Sequence, residues 1–136
     1  MKTLLNIIWL IFGGLGMFLG YLGAGVIAAI FIITLPISVV SFRIAKFVIW
    51  PFGQSIVRQP GAGAGSTLMN IVWFFIAGIW LAVGHLLSAV ALTLTIIGIP
   101  LAIVHIKLIP VSCFPFGKMV VPSTIAGSYD VVVTVN

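Results

Sequence analysis

Between Lys2 and Arg43 the chain carries no charged residue, and between Arg58 and Lys107 it carries none apart from the histidines His85 and His105. Each run far exceeds the roughly 20 predominantly apolar residues that cross a bilayer as a helix. Apolar residues reach 62% of the 136 positions and charged residues only 5%, against roughly 45–50% and 25% in soluble domains. A chain this size could bury one soluble core, but it lacks the polar residues to coat it. The chain is therefore read as an integral membrane protein. Lys2 followed by an apolar stretch ending near "YLGAG" also fits a secretory leader. A counterpart of that segment deep inside the chain argues against the leader.

The counterpart is part of a repeat. Sliding residues 4–57 onto 68–121 without a gap pairs Asn6 with Asn70, Trp9 with Trp73, Gly14 with Gly78 and Gly20 with Gly84. It also pairs Pro36 with Pro100, and Pro51-Phe52-Gly53 with Pro115-Phe116-Gly117. Matches among Leu, Ile and Val would follow from composition alone, but Asn, Trp, Pro and Gly would not align at one offset. The domain reading is a first membrane unit over 1–57, a Gly/Pro-rich cytoplasmic linker over 58–67, a second membrane unit over 68–121 and a tail over 122–136.

"LNIVWFFIAGIW", "TIIGIPLAIVHIK" and "FPFGKMVV" resemble the YccF-type bacterial inner-membrane component family, whose domain occurs as two such units. The likeness covers about residues 4–121, and the second unit follows the family pattern more closely than the first, where "TLP" replaces "GIP". The resemblance implies the bacterial inner membrane. It implies no activity and carries over no catalytic or binding residue.

The fold expected is all-α, each unit a transmembrane helical hairpin with interfacial helix ends, about four spans in total. The charge-free run from Leu4 would be about 58 Å long as one straight helix at 1.5 Å per residue, roughly twice the hydrocarbon thickness. Gly20, Gly23 and Gly25 offer a place to turn, giving legs near 4–20 and 24–49. Pro36, which lacks an N–H and crowds the carbonyl of Ile32, is expected to kink the second leg, with Pro100 its equivalent. Two crossings per unit put Lys2, the 43–58 segment and the 107–118 segment on one side, cytoplasmic by the positive-inside rule, with both termini there. Two long tilted helices, or a re-entrant leg, stay open. Each Pro-Phe-Gly (Pro51 to Gly53, Pro115 to Gly117) reads as a structural stop and turn at the interface.

Few polar groups interrupt the apolar blocks. Asn6 and Asn70 would cap a helix or bond across helices, and Thr34, Ser88, Thr93 and Thr95 can satisfy carbonyls of their own helices. Gly13, Gly16, Gly20 and Gly84 are candidates for close helix packing, within the chain or between protomers. Arg43 and Lys46 share a face, and Lys107 matches Arg43 across the repeat; they would meet headgroups, or ring the mouth of an anion-selective oligomer. His85 is placed near the external turn and His105 near the cytoplasmic end, too far apart for a shared metal, with no carboxylate partner for a proton relay. Asp130, the one acidic residue, leaves paired-carboxylate and metal-assisted hydrolysis without parts. No enzyme, cofactor or metal is expected, and scattered basic residues exclude nucleic acid. The tail "SYDVVVTVN" is β-prone and takes no role. Two functions follow as expectations: a homo-oligomeric ion channel or transport component, anions favoured, or an accessory subunit packing against a larger membrane protein.

Overall fold

The structure, a computed structural model, describes residues 1–31 and 34–135. Each unit is a lopsided helical hairpin. In the first, α1 (Lys2–Trp9), a π-helical turn (Leu10–Gly14) and α2 (Leu15–Ile30) form one long helix, and α3 (Leu35–Ile49) returns beside it to strand β1 (Gln54–Arg58). In the second, α4 (Ala64–Trp73), a π-helical turn (Phe74–Gly78) and α5 (Ile79–Thr93) make the long helix, and α6 (Ile99–Cys113) returns to β2 (Lys118–Pro122). A 3₁₀ turn (Ala126–Ser128) then leads to β3 (Val131–Val135). The compound helices run 29 residues over Lys2–Ile30 and 30 residues over Ala64–Thr93, long and apolar enough to cross a membrane.

The reversal lies beyond the glycines expected to make it, after Ile30. Gly20, Gly23 and Gly25 are all inside α2. At Gly25 the missing side chain serves packing, because a Cβ there would sit 2.6 Å from the Phe42 ring of α3. The chain turns where threonine hydroxyls close the helix: the one Thr34 Oγ1 proton is shared between Ala28 O (2.5 Å) and Phe31 O (2.9 Å), and Thr95 Oγ1 donates to Leu92 O (3.1 Å) and accepts from Gly98 N (3.0 Å). Pro36 and Pro100 sit in the first turn of α3 and α6, so they start helices and kink none. The missing N–H is harmless there, and the fixed φ suits a helix start. Ile32, the expected clash partner of Pro36, lies outside the described residues.

The fold is not wholly helical. The strands form one antiparallel sheet in the order β2-β1-β3. Ile56, Val120, Val133 and Val135 face the helices, whereas Val57 and Val121 form a small second cluster with Ala126 on the far face. β1 and β2 pair with Ile56 opposite Val120, Ser55 opposite Val121 and Gln54 opposite Pro122. Ile56 and Val120 are equivalent positions of the repeat, so the strand pair is self-complementary about that point. The long helices cross in the same way: a Cβ on Gly20 would meet Leu81 at 3.1 Å, and one on Gly84 would meet Met17 at 3.1 Å. Those are one contact made twice, with the units exchanged. The two units are thus related by a pseudo-twofold axis.

The repeated asparagines and the cations Arg43, Arg58, Lys107 and Lys118 gather at the sheet end. Asn6 Oδ1 accepts from Phe52 N (2.9 Å) while its Nδ2 donates to Phe52 O (3.2 Å); Asn70 does the same to Phe116 at 2.8 and 3.2 Å. Each repeated Asn therefore clasps the repeated Pro-Phe-Gly, where Gly53 (φ +95°) and Gly117 (φ +77°) turn the chain into a strand. Positive φ costs glycine little and other residues much. The 58–67 stretch is no slack tether: Arg58 belongs to β1, Ala64 begins α4, and Gln59 N bonds Gly117 O at 2.8 Å. The opposite end is greasy, with Leu94 85%, Ile96 89% and Ile97 73% exposed.

Candidate functional site: a buried histidine line

Trp9 and Trp73 set the site's walls. Each indole N–H donates to a carbonyl near the end of its unit's return helix, Trp9 to Val48 O (2.6 Å) and Trp73 to Ser112 O (2.7 Å). Gly14 and Gly78 make room, because a Cβ at either would lie 2.3 or 3.0 Å from its tryptophan ring. His105 stacks on Trp9 with ring centroids 4.3 Å apart.

Between these walls the repeats differ where they face each other. Tyr21 of the first unit corresponds to His85 of the second, Ser41 to His105 and Val48 to Ser112. Tyr21, His85, His105 and Ser112 are all fully buried and joined. Their bonds order the protons in the neutral state. Ser112 Oγ donates to Leu108 O at 2.9 Å, which leaves its oxygen to accept. Tyr21 Oη, 2.5 Å away, donates to it and accepts from His85 Nε2 at 3.3 Å. His85, protonated on Nε2, presents a bare Nδ1, which takes the Nδ1–H of His105 at 2.9 Å. His105 is left with a bare Nε2, the one buried side-chain polar atom without a partner among the described residues. That nitrogen lies against Gly13, where a Cβ would come within 2.6 Å.

Sequence reasoning set the two histidines at opposite ends, and the structure brings them into contact. With the turn at 94–98 rather than near Gly84, residues 85 and 105 lie at comparable distances on either side of it, and antiparallel legs place them side by side. The pairing of Tyr21 with His85 across the repeat was the available signal.

The other sequence candidates are scattered. Arg43 Nη1 donates to Lys118 O (3.0 Å) and Lys107 Nζ to Thr134 O (3.5 Å), so both equivalent cations tie a return helix to the sheet. Lys46 is exposed and Ser88 half-buried on the helix of His85. Gly13 packs against His105, and Gly20 and Gly84 lie at the crossing of the long helices; Gly16 has open space and packs against nothing within 4 Å. At the sheet surface Arg58 pairs with Asp130 at 3.1 Å. Lys118 donates to Phe114 O, and burial, with Arg58 nearby, holds its ammonium below the usual lysine range. Among the described residues no group of three metal-binding side chains forms.

Two tandem hairpins, apolar outside and joined by a polar line inside, define a small membrane protein built by duplication. The chain belongs to the YccF inner membrane component domain family, which matches residues 4–54 and 68–118. It is similar to the inner membrane protein YccF of Escherichia coli (strain K12), 32% identical over 130 residues that cover 89% of this chain and 88% of that protein. The protein of the same name from Shigella flexneri is similar to the same extent. No solved structure matches the chain.

Proposed function

We propose that the chain is a non-enzymatic transport component of the inner membrane that moves a small ion, with the proton as the species its interior suits. The carrying observation is the buried line Ser112–Tyr21–His85–His105, which ends in an unpartnered imidazole nitrogen. Ionisable groups inside a membrane bundle are costly to keep and mark ion and proton paths. A proton taken up at His105 Nε2 releases the Nδ1 proton to His85 Nδ1, so the charge moves one ring inward without either ring turning.

This reading takes each unit as two crossings, with the sheet and both termini in the cytoplasm. The long helices measure about 44 Å at 1.5 Å per residue, ample for roughly 30 Å of hydrocarbon. The return helices measure about 22 Å, and the turn and the residues up to Pro-Phe-Gly complete the second crossing. Internally bonded turns at Thr34 and Thr95 suit the far edge of the hydrocarbon, where lipid leaves backbone groups few other partners. Four slim helices enclose little, and a homo-oligomer would complete a path.

Proteoliposomes with a trapped pH dye and an imposed potassium diffusion potential test the reading. Protons should enter with wild-type protein and cease with His105→Phe, while Lys107→Gln leaves the flux unchanged. A folded wild-type preparation no leakier than empty vesicles overturns it. The second reading, an accessory subunit, is favoured by an apolar groove of about 470 Å³ between the units, lined by Gly20, Ala24, Trp73 and Trp80. Co-purification of a larger membrane protein without crosslinker would support that alternative.

A further inference from the structure

We infer that the cleft between α3 and the sheet is a binding site for the phosphate-bearing headgroup of an anionic lipid. The cleft holds about 420 Å³ and is lined by Arg43, Lys46, Gln54 and Gln59, with Phe47, Met119 and Val120 as its apolar floor. Two cations and two amides therefore converge on one space. The chain has six Lys and Arg against one acidic side chain, and that one, Asp130, is taken by Arg58. No side-chain carboxylate remains to neutralise Arg43 or Lys46, so their counter-ion comes from outside the chain.

The geometry leaves donors for it. A guanidinium carries five N–H donors in a planar fork suited to phosphate oxygens, and Arg43 uses Nη1 on Lys118 O. Lys46 has no hydrogen-bond partner among the described residues. The site lies where the return helix meets the strands, at the polar end of the molecule, and the exposed Trp50 on the same helix end is a residue type of the headgroup layer. Anionic lipids of the cytoplasmic leaflet attract such cations. The equivalent position of Lys46 in the second unit is Pro110, so the duplication provides one such cleft and not two. The inference needs only a sheet end at the bilayer surface and stands apart from the proton reading.

The test is native mass spectrometry and thermal unfolding of the full chain in a neutral detergent. Phosphatidylglycerol, phosphatidylcholine and inorganic phosphate are titrated separately. Phosphatidylglycerol should be retained and raise the unfolding temperature, whereas phosphatidylcholine and inorganic phosphate should do neither. Lys46→Gln should weaken retention about fivefold and Arg43→Gln with Lys46→Gln about thirtyfold, as loss of one or two near-surface cations predicts. Lys107→Gln, outside the cleft, should leave retention unchanged. Because Arg43 also braces β2, Lys46→Gln alone decides the matter if the double variant does not fold. Equal retention of phosphatidylcholine, the same stabilisation by inorganic phosphate, or undiminished phosphatidylglycerol binding by Lys46→Gln would each overturn the inference.

Discussion

Asn6 holds two buried backbone groups at once, and its removal leaves the N–H and C=O of Phe52 unpaired. At about 1–3 kcal/mol for each buried group left unsatisfied, Asn6→Ala should lower stability in detergent by about 2–4 kcal/mol. Asn70→Ala should cost less, because Asn70 is only half-buried and water can take over part of its bonding. Equal losses in chemical unfolding would refute that ranking. Gly13→Ala should cost about 1–3 kcal/mol through overpacking against His105. At least half of that should return in a His105→Ser background, serine being what the first unit carries at the equivalent Ser41. Additive costs in that double-mutant cycle would show the two residues to be uncoupled. The repeated Asn, Trp and Gly were visible as pairs in the sequence, yet their partners were not. An Asn–backbone bond across 46 residues leaves no trace in the spacing of either side.

At the level of elements, hydropathy located the apolar runs but not where they fold back. A helix immersed in lipid gains nothing from ending at glycine, since its backbone bonds are already satisfied and nothing outside competes for them. The run therefore continues through Gly20 to Gly25 until a side chain can take over the freed carbonyls. Thr34 does this, and Thr34→Val should destabilise the first hairpin by about 1–2 kcal/mol, the scale of such bonds within membranes. Unfolding in bicelles would check it; an unchanged midpoint would assign the turn to Pro36 alone. The sheet was the other gap. "QSIVR" and "KMVVP" are too short to signal strands by alternation, and they become strands because each meets its own counterpart. The tail's β-propensity was legible, whereas its place beside β1 was a matter of tertiary pairing.

For the whole molecule, Asn6, the 59–63 turn and both Pro-Phe-Gly segments lie at one end, which makes the units parallel. In a Cys113→Ser background, cysteines at Thr3, Pro60 and Ser128 should react with an impermeant maleimide from the same face of sealed membranes. Labelling of Pro60→Cys from the face opposite to Thr3→Cys would break the parallel arrangement and the four-crossing reading with it. The register of β1 on β2 reaches further back in time. A strand that pairs with its own copy about Ile56 and Val120 needs no fusion to do so. A half-length ancestor could have met a second molecule of itself through the same edge and the same glycine crossing, as a true dimer. Only after the two halves shared one chain were Tyr21 and His85, or Ser41 and His105, free to become different from one another.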